Sequence, residues 1–242
     1  MCGIAGSISE EFIKINQHSL ITKLMDRRGP DSFGSYKSNF NNKKLNLFFS
    51  RLSIIDIKKR SNQPMKKYNK ILIFNGEIYN YLELKEKLKK KYKFSTNSDT
   101  EVLLTAYHHY GKKFVKYLEG MWAFCIYDLK KKKIILSRDR FGEKPLYYRK
   151  NLNNFYFGSE INYIHFLSKN LIKRFNENKI YNYLYYGYKS IELNNETFFK
   201  DIYSFPKGEI WEIDKYLNIK KQKYYKVNYK KNNSLTIADI KK

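Results

Sequence analysis

A chain of 242 residues, 42% hydrophobic and 17% aromatic, has material for one substantial core or two small ones. Its two cysteines exclude a disulfide framework, and no apolar run approaches the roughly 18 residues of a membrane span, so the expected location is cytoplasmic, with no membrane partner. The net charge is +25, yet only eight of 48 basic residues are arginine. The lysines scatter through KKKYKF, DLKKKKIIL and KKQKYYK beside many Asn, Ile, Tyr and Phe, the residue set that AT-rich codons favour. With no zinc-finger, RRM or KH signature, this pattern reads as a solvated surface and argues against a nucleic-acid partner.

The chain opens MCGIAGSISE. Residue 2 is small enough for Met1 to be removed, which would leave a cysteine carrying a thiol and a free α-amine: a nucleophile with a base on the same residue. The plainer reading is that Cys2 merely begins a buried strand, and residues 3–9 do read as a strand. LNLFFSRLSIID and KILIF read as two more strands. IYNYLELKEKLKK then takes helical period, with Tyr81, Leu84 and Leu88 on one face. A second helix begins at SDTEVLLTAYHHY, where Ser98 and Glu101 have capping-box spacing and Gly111 closes the helix.

GMWAFCIYD lacks polar alternation before its Asp and predicts a strand covered on both faces, with Cys125 an inert core thiol. LKKKK turns it back as IILSRD, and PLYYR with FYFGSE forms a hairpin across KNLNN. Beyond residue 177, ENKIYNYLYYGY predicts an aromatic helix, FKDIYSFPKGEIWEI a hairpin-like end, and NYKKNNSLTIADIKK a polar stretch entering a further helix. Helices between blocks of hairpin strands, around a doubly buried strand, fit a layered α+β sandwich.

In a chain that uses lysine for most cations, the retained arginines are informative. Arg27, Arg28, Arg51, Arg138 and Arg140 fall in RRGPDS, RLSII and RDRFGEKP, and only a planar guanidinium grips a carboxylate bidentately.

MCGIAG, RRGPDS, RLSIID, NQPM, FNGEIYNY, SDTEVLL, RDRFGEKPLYY and FGSE occur in the order and approximate spacing of the glutamine-hydrolysing asparagine synthetases. Over about residues 2 to 227 the sequence resembles their N-terminal glutaminase domain, a class II glutamine amidotransferase. Relatives that make amino sugars or phosphoribosylamine share the opening Cys-Gly-Ile but have Tyr or Gln after the glycine equivalent to Gly29, where this chain continues Pro30-Asp31.

The resemblance implies a four-layer αββα sandwich of the N-terminal-nucleophile hydrolase type, with a glutaminase domain at 2–216 and, at 217–242, a linker and the start of an ATP-dependent synthetase domain. It implies L-glutamine as substrate, Cys2 as nucleophile with its α-amine as base, and Asn75 and Gly76 as oxyanion donors. Arg51 corresponds to the α-carboxylate anchor within a binding run of Leu52, Ser53, Ile54 and Ile55. Asp99 corresponds to the acceptor of the substrate ammonium and Glu77 to a further polar contact. Taken alone, Asn75-Gly76 reads rather as an ordinary turn, Arg51 as a surface ion pair and Asp99 as a helix start; it is their occurrence in one chain with Cys2 that favours the functional reading. Arg28 and Asp31 stay outside this set, and Arg138 to Pro145 reads as structural or interfacial.

No metal or cofactor is expected for the glutaminase itself. ATP and Mg²⁺ belong to the synthetase half, whose Ser-Gly-Gly-x-Asp-Ser pyrophosphate loop has no counterpart in these 242 residues. The implied partner is that synthetase domain, or a separate synthetase chain, and the full enzyme would be a homodimer. Two alternatives remain at this level: an amidotransferase serving another carboxyl acceptor such as a surface sugar, and an inactive basic binding protein of the same fold.

Overall fold

A computed structural model describes residues 1–169, 173–191 and 194–227. In chain order the elements are β1 (Gly3–Ser9), α1 (Ile15–Asp26), β2 (Ser32–Phe40), β3 (Lys43–Arg51), β4 (Met65–Lys67), β5 (Lys70–Ile78), α2 (Tyr81–Lys89), α3 (Asp99–Tyr110), β6 (Gly120–Asp128), β7 (Lys133–Arg138), β8 (Tyr147–Lys150), β9 (Phe155–Gly158), α4 (Ile161–Leu167), α5 (Glu177–Tyr186), β10 (Tyr203–Ser204), β11 (Glu209–Ile213) and β12 (Ile219–Lys223). They form two six-stranded sheets, ordered β10-β8-β9-β1-β3-β2 and β12-β11-β7-β6-β5-β4, and the strand pairs are antiparallel.

Side chains alternate across each strand, so every central strand serves two cores. On β6, Ala123, Cys125 and Tyr127 face the other sheet, meeting Ile4 and Ile8 of β1 and Leu47 and Phe49 of β3. Trp122, Phe124 and Ile126 face the opposite way, against Leu84 and Leu88 of α2 and Val102, Leu103 and Ala106 of α3. The first sheet is covered likewise: Ala5, Phe48 and Tyr156 pack against Ile21 and Met25 of α1 and Tyr163, Ile164 and Leu167 of α4. The result is the four-layer αββα sandwich, with β6 buried on both faces as its sequence indicates. Burial drives the Cys125 thiol well above its ordinary pKa, which leaves it inert.

Several local expectations are corrected. The strand expected to run through Asp56 ends at Arg51, because the Arg51 side chain binds the Ile55 and Asp56 carbonyls and folds the following loop back on itself. Ser98 does cap α3, accepting from Thr100 N–H at 3.1 Å. Glu101, however, does not complete a capping box; its carboxylate accepts from the Ser95 and Thr96 N–H groups and pairs with Lys67. The expected hairpin at SFPKGEIWEI is a crossover. β10 pairs with β8 in one sheet and β11 with β7 in the other, with Phe205 buried between the sheets and Gly208 turning the chain at φ +68°.

β12 pairs along its length with β11, and Leu217 is buried, so the sheet continues past the expected boundary at 216. The helix expected within 228–242 lies outside the described residues. α1, β2 and α4 had no prior signal: α1 is largely polar, and β2 is an edge strand of mostly half-buried polar residues.

Candidate active site

Cys2 stands immediately before β1, a central strand held between β3 and β9. Its thiol lies between the backbone groups of one residue, accepting from Leu52 N–H at 3.4 Å and donating to the Leu52 carbonyl at 3.5 Å. Burial pushes the thiol up; the Leu52 contact, the terminal ammonium and Arg51 pull it down, and Asp99 adds to the rise. The terminus is gripped from two motifs. Arg28 Nε donates to the Cys2 carbonyl at 3.0 Å while its Nη1 pairs with Glu160 at 3.5 Å. Ser159 Oγ accepts from Ile4 N–H, and Ser159 N–H donates to the Ile4 carbonyl. RRGPDS and FGSE thus converge on the residues that carry the thiol.

The loop after β3 is built around Arg51, which is 5% exposed. Nη1 donates to Asn62 Oδ1 at 2.6 Å and the Lys58 carbonyl at 3.3 Å; Nη2 donates to the carbonyls of Asp56 at 2.6 Å and Ile55 at 3.4 Å. All four acceptors are formally neutral, so Arg51 is no surface ion pair. Asp31 clamps the same loop, donating its N–H to the Arg51 carbonyl and accepting from Ser53 N–H at 2.6 Å. A Cβ at Gly29 would come within 2.5 Å of the Ser50 and Arg51 backbone, so only glycine allows this approach. Asp56 accepts from Asn97 N–H at 2.8 Å, a contact that lowers its carboxyl to about 2 and ties the loop to the approach of α3. Gln63 of NQPM brackets Phe74 as a strand would, accepting from its N–H at 2.6 Å and donating to its carbonyl at 3.3 Å.

Asn75 and Gly76 lie within β5, paired with Ala123 and Trp122, and form no turn. A Cβ on Gly76 would sit 2.2 Å from the Met121 carbonyl. Asn75 is 1% exposed, and its Nδ2 is buried without a hydrogen-bond acceptor among the described residues. A buried donor left open costs about 1–3 kcal/mol, so this one marks a place where an acceptor belongs. Asp99 does begin α3, but it is also buried, accepting from Ile78 N–H at 3.0 Å. Burial raises its carboxyl to about 6, against the opposing pull of the Ile78 and Thr100 N–H groups and the Ser98 hydroxyl.

RDRFGEKP acquires a physical account. Asp139 Oδ1 accepts from the N–H groups of Phe141, Gly142 and Glu143, and Oδ2 from those of Lys144 and Trp122. Arg138 closes the loop from outside, donating to the Gly142 and Lys144 carbonyls. The wound loop sets Lys144, 6% exposed, into the same cleft as Cys2. Sequence reasoning missed this residue because the motif's lysine is one of many, and only the fold brings it beside the terminus.

Of the residues that the resemblance assigns to the glutamine site, all but Ser53 line this one cleft; the Ser53 N–H is taken by Asp31 instead. The cleft holds a thiol, an open amide donor, a buried carboxylate and a guanidinium, a set that suits nucleophilic attack on a carbonyl of a zwitterionic molecule. Among the described residues, no group of three or more His, Cys, Asp or Glu could hold a metal ion, and no helix is long and apolar enough to cross a membrane.

The profile of a family described as glutamine amidotransferase domain matches residues 1–225. The chain is 42% identical to the putative asparagine synthetase [glutamine-hydrolyzing] 2 of Methanocaldococcus jannaschii, over 74% of this chain and 38% of that protein. It is 41% identical to asparagine synthetase [glutamine-hydrolyzing] 1 of Bacillus subtilis, over 66% of this chain and 26% of that one. The chain therefore spans well under half the length of these relatives. Among solved structures, the glutamine phosphoribosylpyrophosphate amidotransferase of B. subtilis, complexed with ADP and GMP, superposes with a TM-score of 0.65 at 18% identity, over 93% of this chain and 49% of that one. At that identity the likeness shows the fold.

Proposed function

The chain belongs to the glutamine amidotransferase domain family, and from that premise we propose that it hydrolyses L-glutamine to glutamate and ammonia through a thioester on Cys2. The observation that carries this reading is the meeting, in one cleft, of the Cys2 thiol with the buried open donor of Asn75. Met1 is removed first, freeing the α-amine of Cys2. That amine takes the thiol proton, and the sulfur attacks the side-chain amide carbon of glutamine. The oxyanion is held by Asn75 Nδ2 and the Gly76 N–H, where each donor contributes about 3–4 kcal/mol in the transition state. The ammonium that the amine has become returns its proton to the amide nitrogen as the C–N bond breaks, and ammonia leaves. Water then attacks the thioester, giving its proton to the amine; the C–S bond breaks, glutamate departs and the thiol is restored. Asp99 receives the substrate ammonium, Arg51 and its loop face the α-carboxylate, and Glu77 makes a further polar contact.

The names of the relatives support a wider reading, in which the ammonia serves the synthesis of asparagine; we propose that it does so by ATP-dependent amidation of aspartate on a synthetase domain, attacking β-aspartyl-AMP in the cytoplasm. On that reading the linker starts after β12 rather than at 217, since β12 completes the second sheet. The retained cleft residues speak against an inactive binding protein.

The test is to produce the chain with Met1 removed, verified by intact mass, and to measure glutamate, ammonia and asparagine with and without ATP, Mg²⁺ and aspartate. Glutamate and ammonia should appear regardless of these additions, and no asparagine. A form that retains Met1, or Cys2→Ala, should release neither product. Equal rates with Met1 retained would refute the built-in base, and strict dependence on ATP would refute the assignment.

A further inference from the structure

Lys144 is the cation that this mechanism leaves unused. Its backbone is fixed at both ends, N–H to Asp139 and carbonyl to Arg138, and its side chain is buried in the cleft. The ammonium has no carboxylate partner among the described residues; the one acceptor it has is the thioether of Met1, with Nζ 3.7 Å from Sδ. A thioether is a weak acceptor, and this one belongs to a residue that the proposed reaction requires to be removed. The Met1 sulfur is only a few bonds from the Cys2 nitrogen, roughly 6 Å at full extension, so Nζ lies within about 10 Å of the atom that becomes the free amine.

Resting on the glutaminase reading for its place in catalysis, we propose that Lys144 is a positioning residue for charge: its buried ammonium keeps the Cys2 α-amine uncharged and favours the Cys2 thiolate. Of the other charged groups around the terminus, Arg51 alone acts on the thiol in the same sense. Arg28, behind α1, is paired with Glu160. Arg51, at the end of β3, pulls the thiol down as well, from a guanidinium whose terminal nitrogens are held by neutral acceptors of the 55–62 loop, so the charge of Lys144 adds to it. Glu77 on β5 and Asp99 at the start of α3 are negative and act in the opposite sense on both groups. A positive charge at this range disfavours an ammonium and favours a thiolate, so it eases proton loss from whichever of the two yields its proton. Removing it should therefore move either titration upward, by about one pH unit.

The experiment uses the chain with Met1 removed, as wild type, Lys144→Met and Lys144→Arg, with Lys144→Gln as a second neutral variant should the methionine form not fold. Alkylation of Cys2 by iodoacetamide, located by peptide mass, is followed from pH 5 to 10, and kcat is followed over the same range at saturating glutamine, where the substrate ammonium holds Asp99 ionised. The proposal expects the acid limb of both profiles to rise by about one unit in the neutral variants, rates to converge on wild type at high pH, and arginine to restore the original limb. An unmoved alkylation limb overturns it, whether activity falls uniformly with pH, as for a structural role, or KM alone rises, as for a substrate anchor. A limb that moves in a chain whose wild type releases no glutamate would leave the charge effect standing and remove the glutaminase reading.

Discussion

Asp99→Asn separates the demands of function from those of stability. Asp99 is 4% exposed, and burial raises its carboxyl from 3.8 to about 6. An acid whose folded pKa is raised contributes its full stability below the unfolded value of 3.8 and loses it as the pH climbs through about 6. A rise of about two units corresponds to about 3 kcal/mol of destabilisation at pH 7.5, falling to about 1 kcal/mol at pH 4.5. Asparagine keeps an oxygen for the Ile78 N–H without the charge. Urea unfolding should thus show the variant more stable than wild type by about 1–3 kcal/mol at pH 7.5, with the gain shrinking toward pH 4.5. On the proposed glutamine reading the same change removes the partner of the substrate ammonium, and a charge-assisted contact of about 2 kcal/mol implies a glutamine KM raised about 30-fold or more. A variant that is less stable by the same amount at both pH values would refute the burial argument. An unchanged KM would refute the ammonium site.

Two further substitutions probe the frame. Arg51→Lys keeps the charge but cannot reach the four acceptors between Ile55 and Asn62, so KM should rise about tenfold or more and urea stability fall by about 1–2 kcal/mol; an unchanged KM would show that Arg51 does not set the substrate's position. Arg28→Met frees the Cys2 carbonyl and leaves Glu160 unpaired, which should lower kcat about tenfold or more at constant KM, whereas a rise in KM alone would put Arg28 on the substrate.

What could be read from the sequence was whatever a short window determines. The apolar run of β6, the Leu84–Leu88 face of α2 and the Ser98 cap of α3 each follow from a few neighbouring residues. The reciprocal cap expected of Glu101 failed because Lys67 and the Ser95–Thr96 backbone, supplied by the fold, compete for the same carboxylate. α1 was missed because it buries few residues, and the crossover between β10 and β11 because no local signal says which sheet a strand will join. The cleft was legible as a list of residue types through resemblance, but not as an arrangement. That Arg51 supports its own loop, that Asp139 winds the following segment around its carboxylate, and that Lys144 reaches the terminus are contacts between distant parts of the chain.

The crossover has a mechanical side. Between β10 and β11 the chain is fastened to the segment that carries Lys144: Arg138 Nη1 holds the Ser204 hydroxyl and the Phe205 carbonyl, Phe205 N–H holds the Leu146 carbonyl, and Gly208 N–H holds the Asp139 carbonyl. β11 follows directly and carries β12 on its outer edge. A pull on β12 therefore runs through β11 and the crossover into both ends of the 138–146 loop, a short lever whose far arm is the ammonium in the cleft. A body attached beyond β12 would have a stiff handle on the chemistry without touching the cleft.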